Sequence, residues 1–400
     1  MLSVVEARAR ILEAFAPLPA ETLAVNQGLG RVLTRPLVAR TTQPPAAVSA
    51  MDGYAVRGAD VGSLPASLTV IGEVAAGELL ESEVGPGQAV RIFTGAPLPP
   101  GSDTIVIQEN VAREGDRITL SEASETGRYV RPQGLDFLAG KTALPSGHRL
   151  TARDLGLAAA MDHAWLPLHR RPRVAILATG DEVVLPGDPR GPSQIVSSNA
   201  FALSGLVESE GGIAVNLGIA PDRGDALQDL ARGAAGCDLL VTTGGASVGK
   251  HDLVRSALAE SGLDLDFWRI AMRPGKPLLF GRLGSTPLLG LPGNPVSTLV
   301  CGLIFLRPIL RHLQGLPSAP KTLEASLGVD LGANDRREDY LRSQATWCPR
   351  GTATVVPFER QDSSMLAVLS QANVLAVRPP HAPPAKAGDA ITILPLDGGI

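Results

Sequence analysis

Three loops gather residues that bind and transform anions: Thr179-Gly-Asp-Glu182, Thr243-Gly-Gly-Ala-Ser-Val-Gly-Lys-His-Asp252 and Gly290-Leu-Pro-Gly-Asn-Pro-Val-Ser297. Each follows a continuous apolar run of the kind that forms a buried parallel strand. In open α/β sheets, ligands sit in the crevice outside the carboxyl ends of such strands. Glycines there let backbone N–H groups approach a ligand, and the helix N-termini that follow attract negative charge. One Thr-Gly is equally a tight turn; three on one sheet edge point to a phosphate or oxyanion. The Asp181-Glu182 pair reads as a helix cap with a first-turn charge, or as carboxylates for a metal beside a bound phosphate. Asp222 and Asp252 end comparable loops and either complete an acidic rim or cap turns. Arg273-Pro-Gly-Lys276-Pro277 sets two cations in a loop whose prolines exclude helix and central strand. Lysine acts on a compact anion as a point charge and arginine as a fork; the alternative is a solvated turn.

Elements that position these loops follow from the hydrophobic pattern. From residue 173 onward, apolar strands alternate with helical segments (198–211, 224–235, 253–261 and the long apolar 296–313). That alternation predicts a doubly wound, mostly parallel sheet. Upstream, residues 46–131 are short alternating strands between Gly and Pro turns, a β-rich module opened by the Asp-Gly of Ser49-Ala-Met-Asp-Gly-Tyr-Ala-Val-Arg57. Residues 147–168 read as a helix with Thr151 as N-cap, and the β module looks inserted between two halves of an outer domain. After the Pro/Gly/Ser linker 313–321, strand-like alternation returns to the end. The expected organisation is multidomain α/β and β: 1–45 with 132–168, 46–131, 169–316 and 317–400.

Composition excludes several classes of function. A net charge of −4 and a pI near 5.9 argue against a broad nucleic-acid footprint. Three cysteines without a CxxC, and six histidines without HxxxH spacing, suggest neither a disulfide framework nor a His/Cys metal site. The amphipathic N-terminus is no signal peptide, and no stretch reads as a membrane span. A cytoplasmic protein is expected, with neither nucleic acid nor membrane as partner. Glycine and proline together make 44 + 33 = 77 of 400 residues, so much of the chain is loop, where sites reside.

In order and spacing, SAMDGYAVR, RIFTGAPLP, ATGDEV, TTGGASVG with its following KHD, RPGKP and LPGNPVS resemble the molybdopterin molybdenumtransferases. These are the bacterial MoeA proteins, related to the E domains of gephyrin and Cnx1. The resemblance covers essentially the whole chain. It implies a discontinuous elongated domain, an inserted β-rich domain, a molybdopterin-binding-like α/β domain and a C-terminal β barrel. It implies a homodimer with an active site shared between chains, inserting molybdate into adenylylated molybdopterin and releasing AMP with Mg2+ as divalent cation. Asp52, Thr94, Asp136, Glu182, Asp222 and Asp252 fall at functional positions; Asp52, Glu182, Asp222 and Asp252 are the catalytic candidates, and the last three the metal candidates. Arg273, Lys276, Pro277, Ser297, Ser363 and one of Arg337 or Arg342 are the molybdate-binding candidates. Substrate and phosphate contacts are assigned to Thr94 and Asp136; to Thr179, Gly180, Asp181, Ser198 and Asn199; to Gly244, Gly245, Ser247 and Gly249; and to Pro292, Gly293, Asn294 and Pro295. A molybdopterin adenylyltransferase and cofactor-accepting apoenzymes are the partners it suggests.

Two departures stand out. Many relatives place an Asp and an Arg around the Ser-Asn where this chain has Ser197 and Ala200, and a Lys where it has Arg273. Two alternatives remain: molybdopterin adenylylation, whose enzymes continue the Gly-Gly loop as GGTG, and a non-catalytic scaffold like the gephyrin E domain.

Overall fold

The structure is a computed structural model that describes residues 1–244, 263–348 and 351–396. The chain divides into two compact units: residues 1–21, 30–34 and 168–400, and residues 22–29 and 35–167.

In the first unit a six-stranded sheet runs in the order Ile213–Ala220, Arg173–Thr179, Leu239–Thr243, Thr286–Leu291, Pro277–Leu283, Leu263–Arg269. The first four strands are parallel, and Pro277–Leu283 pairs antiparallel with its neighbours on both sides, so the sheet is mixed. Its inner strands are buried on both faces, hence their unbroken apolar runs. Gly224–Ala231 covers one face through Leu227 and Ala231. The other face carries Asn199–Ser209, the N-terminal helix Val4–Glu13, and Pro295–Cys301 continuing through a π turn into Arg307–Leu313. Among the described residues, Pro295–Leu313 is the one helix long and apolar enough to cross a membrane; it lies mostly buried in this core.

The N-terminal helix starts at a capping box, Ser3 with Glu6, and buries Val4, Ala7 and Ile11 in that same core. It therefore packs with the α/β layers and not with residues 132–168, the grouping expected from sequence. Residues 37–38 do pair with 142–144, and Gln43 with Phe137.

Five strands close into the C-terminal barrel: Glu338–Trp347, Ala353–Pro357, Leu323–Leu327, Ala390–Pro395 and Val374–Arg378, the last returning to the first. Met272–Arg273, at the end of an α/β strand, adds in parallel to Glu338 and Asp339 of the barrel. The α/β core and barrel share buried side chains, including Ile304, Tyr340 and Leu375.

In the second unit six strands order as Thr104–Ile107, Gly53–Val56, Gln88–Ile92, Ser67–Val74, Arg117–Leu120, Val111–Glu114. Separate apolar clusters bury both faces, one with Tyr54 and Val56, the other with Ala55 and Ile92. Residues 147–168 are not one helix. Ala152–Ala160 is helical, with Asp154 accepting from the N–H and Oγ1 of Thr151 at 2.7 Å each. Asp162 then turns left-handed at φ +67°, which ends the helix, and Trp165–His169 is a strand. The helix expected at 253–261 lies outside the described residues.

Candidate active site

Strands Arg173–Thr179, Leu239–Thr243 and Thr286–Leu291 are immediate neighbours, so their C-terminal loops open side by side. Thr179 and Thr243 are buried at that edge, and Asn199, at the first turn of its helix, bridges the loops. Its Nδ2 donates to Thr243 Oγ1 at 2.8 Å and to the Gly293 carbonyl at 2.7 Å. Thr298 Oγ1 donates to the carbonyls of Pro292 and Asn294, fixing the Gly-Asn-Pro turn to its own helix. A Cβ on Gly244 would lie 2.6 Å from the Thr179 carbonyl oxygen, so the loops close only around glycine. Gly293 sits 3.5 Å, measured from where its Cβ would be, from Gly244 Cα. Three of the loops named from sequence thus meet as one glycine-walled crevice. Gly245, Ser247, Gly249 and Asp252 lie outside the described residues.

Its acidic side is exposed. Asp181 Oδ1 accepts the Asp222 N–H at 2.9 Å, and Glu182 folds back over Gly180, its Oε2 2.5 Å from the position a Cβ would take. Gly180 holds φ +134°, a backbone region that a side chain there would strain. Among the described residues no three Asp, Glu, His or Cys side chains form a metal cluster.

The basic side differs from the sequence reading. Arg273, expected to face an oxyanion, is engaged by Asp339: its Nε donates to Oδ1 at 2.7 Å and an Nη to Oδ2. Asp335 lies 3.6 Å from a further Nη of Arg273, and Asp339 is buried. Asp339 raises the Arg273 pKa through that hydrogen bond. Arg337 forks onto Asp335, whose carboxyl is driven down to about 2 by hydrogen bonds from Arg337 and by Arg273. Arg342 is almost fully buried; it donates to Gln361 Oε1 at 3.1 Å and to the Asp362 carbonyl at 2.6 Å, and burial lowers its pKa against a smaller opposing pull from the Asp362 carboxylate. It is the strut of loop 358–363 and does not face the crevice as a free cation. Half-buried Lys276 is the candidate cation with no side-chain partner among the described residues. Pro277 follows it at the start of its strand.

Loop 358–363 brings Ser363 to the crevice edge: Asn294 Nδ2 donates to its Oγ at 2.8 Å, and Val296 N–H to its carbonyl at 3.1 Å. Ser297 is buried in the first turn after Pro295. Ser198 directly precedes the helix bearing Asn199, and Ala200 is buried within it. Ser197 is also buried, its N–H donating to the Val184 carbonyl.

Three candidates lie in the second unit. Asp52 Oδ1 accepts both the Thr94 N–H at 2.7 Å and Thr94 Oγ1 at 2.8 Å, which lowers its pKa, with Arg91 adding a smaller electrostatic effect. Asp136 lines a separate cleft of 570 Å³ with Gln43, Pro44, Pro97 and Arg131. Gly53 enables the turn beside Asp52, because a Cβ would lie 2.1 Å from the Val106 carbonyl. Sequence reasoning missed Asp335, Asp339 and Arg91. The cue for the aspartates was acidic residues amid Arg336, Arg337 and Arg342; for Arg91, its place between apolar strand residues one turn before Thr94.

Glycine loops at the carboxyl ends of adjacent parallel strands, flanked by a serine from an attached barrel, place the crevice where open α/β sheets bind their ligands. Three family profiles tile the chain: "MoeA N-terminal region (domain I and II)" over residues 2–161, "Probable molybdopterin binding domain" over 175–312, and "MoeA C-terminal region (domain IV)" over 324–396. The molybdopterin molybdenumtransferase of Nostoc sp. is 38% identical over 322 residues, 78% of this chain and 74% of the relative. That of Haemophilus influenzae is 33% identical over 403 residues, 99% of both chains. The solved MoeA protein of Pyrococcus horikoshii superposes with a TM-score of 0.85 at 27% identity, covering 100% of each chain. The chain belongs to the MoeA family of molybdopterin molybdenumtransferases.

Proposed function

We propose that this protein inserts molybdate into adenylylated molybdopterin, releasing AMP and forming molybdenum cofactor. The observation that carries the reading is the crevice: three glycine-walled loops on adjacent strands, with Lys276 and Ser363 on the basic side and Asp181, Glu182 and Asp222 on the other. Backbone N–H groups of Asp181, Glu182, Gly293 and Asn294 suit the phosphate of the adenylyl group. Lys276 supplies a compact positive charge for molybdate, and Ser363 and Ser297 supply hydroxyls. Of the carboxylates assigned to a metal, Glu182 and Asp222 are the described ones; one or both would hold a divalent cation of the Mg2+ class, which takes one or two carboxylates plus substrate oxygens. When bound, such a cation neutralises phosphate charge as AMP departs.

Asp52 and Thr94 belong to the second compact unit and the crevice to the first. The family resemblance supports a homodimer in which Asp52, Thr94 and Asp136 of one chain serve the crevice of its partner, with closed two-fold symmetry giving two identical sites. A cytoplasmic setting, delivery from a molybdopterin adenylyltransferase and transfer to apoenzymes complete the proposal. The test incubates purified protein with adenylylated molybdopterin, Mg2+ and molybdate. AMP release coupled to active cofactor supports it. ATP-dependent adenylylation of free molybdopterin, or no turnover at all, refutes it in favour of the adenylyltransferase or the scaffold.

A further inference from the structure

Arg91 is sandwiched between two aromatic rings: its guanidinium carbon lies 5.2 Å from the Tyr54 ring centre and 5.0 Å from that of Phe93. One Nη donates to the Gly53 carbonyl at 3.2 Å, the other to Gln108 Oε1 at 2.5 Å. Gln108 in turn donates its backbone N–H to the Asp52 carbonyl at 3.2 Å. Arg91 therefore holds the residue after Asp52 directly and reaches the Asp52 carbonyl through Gln108. Strand pairing explains the geometry, since Arg91 is directly opposite Tyr54, and Phe93 and Thr94 follow it along the same chain. The Asp52 carboxylate is tied by Oδ1 alone, to Thr94. Its Oδ2 has no protein donor among the described residues and sits on an exposed residue. Other charges nearby are acidic: Glu73 lies beside Arg91 on the neighbouring parallel strand, and Glu109 accepts from Gln108 Nε2 at 3.4 Å. Arg91 is thus the cation that offsets them at Asp52.

We propose that Arg91 is the positioning residue of Asp52: locked between Tyr54 and Phe93, it fixes the Asp52 backbone through Gly53 and Gln108 and presents the free Oδ2 to substrate. This rests on Asp52 serving the proposed reaction. A planar fork held between two rings is rigid, and two simultaneous hydrogen bonds require the fork, so lysine does not replace it.

The test compares Arg91→Met and Arg91→Lys in the full-length protein. One readout is AMP release against pH. The other is the Asp52 carboxyl resonance in ¹³C-aspartate-labelled protein, assigned by its loss in Asp52→Asn. In Arg91→Met, kcat should fall about 10- to 100-fold with molybdate KM unchanged, as expected for a misplaced reacting group. The acid limb of the pH profile and the Asp52 titration should both move to higher pH, because a nearby positive charge has gone. Arg91→Lys should keep the titration near wild type while kcat still falls. If Arg91→Met does not fold, Arg91→Lys decides: wild-type kcat in that variant overturns the proposal. An unmoved Asp52 titration in folded Arg91→Met overturns it equally. Full activity in Asp52→Asn would instead remove Asp52 from the proposed function, while the titration would still report whether Arg91 holds that carboxylate.

Discussion

Gly275 is the most constrained residue of the Arg-Pro-Gly-Lys-Pro turn, and replacing it with alanine should separate the packing of this turn from its charge. Its φ is +115°, and a Cβ there would lie 2.4 Å from the sulfur of Cys301 and 3.3 Å from Met272. Cys301 is fully buried at the last position of the helix that begins at the Gly-Asn-Pro turn, so Gly275 is where the Lys276 loop rests on that helix. Two costs combine in Gly275→Ala. Holding an L residue in that backbone region costs about 1–3 kcal/mol, and forcing a methyl into a closed core about 1–3 kcal/mol more. The variant should lose about 2–6 kcal/mol, read as a lower urea midpoint by tryptophan fluorescence. Cys301→Ala alone removes one buried atom and should cost about 1 kcal/mol. In the double variant the new methyl occupies the vacated space, and only the backbone cost persists. The two changes should therefore be less than additive by about 1–3 kcal/mol. Molybdate KM should rise in Gly275→Ala and recover at least partly in the double variant, because Lys276 follows Gly275 directly. Strict additivity of the stability losses, or an unchanged urea midpoint in Gly275→Ala, would refute the reasoning that Cys301 is the obstacle.

Lys276→Ala should raise molybdate KM about tenfold or more while pterin affinity holds, since a charge-assisted contact contributes ~1.5–3 kcal/mol; a collapse of pterin affinity with no rescue by excess molybdate would contradict it. Glu182→Gln should keep the fold by circular dichroism yet lose most turnover, because a metal- or water-orienting group needs the carboxylate; full activity would return Glu182 to a surface role. Asp335 has a folded pKa of about 2, below its ordinary 3.8, so its contribution is complete above pH 3.8 and is lost as pH falls toward 2. The stability gap between wild type and Asp335→Asn should accordingly be full at pH 5 and close across that window in acid titrations; a gap constant down to pH 2 would show that the ion pairs add nothing. Co-expressed Asp52→Ala and Glu182→Ala chains should regain about a quarter of wild-type activity, because half the dimers mix and one site of each mixed pair is intact; zero recovery in tag-verified mixed dimers would exclude a shared site.

The crevice was legible because its signals are local. Glycines at the ends of three apolar runs mark strand ends, and strand ends of a parallel sheet face the same way. The barrel was legible for the same reason, as period-two alternation survives in strands such as Leu323–Leu327 and Ala353–Pro357. The N-terminal helix was not, because its amphipathic face says only that it packs, and whether it packs on 132–168 or on the α/β core depends on contacts hundreds of residues away. The break near Asp162 escaped notice because a left-handed Asp has no strong composition cue inside an otherwise helical pattern. Arg342 lay hidden differently: it shares the strand parity of buried Tyr340, which points it inward, but a buried arginine is tolerated only when carbonyls are supplied to it, and those come from residues 360–362.

Three of the four cations that sequence offers as oxyanion candidates are engaged by other groups of the chain. Arg273, Lys276, Arg337 and Arg342 look alike as a basic set. Asp335 and Asp339, more than 60 positions beyond Arg273, satisfy two of the four, and backbone carbonyls satisfy Arg342. What the arginines do is mechanical: Arg273 pins its turn to the barrel strand through buried Asp339, Arg337 restrains the Asp335 that also faces Arg273, and Arg342 holds the loop that presents Ser363. The turn so pinned carries Lys276 between two prolines, where no carboxylate among the described residues pairs with it. Replacing the customary lysine with arginine at position 273 is consistent with this division, since a fork suits the bidentate Asp339 contact that a point charge cannot make.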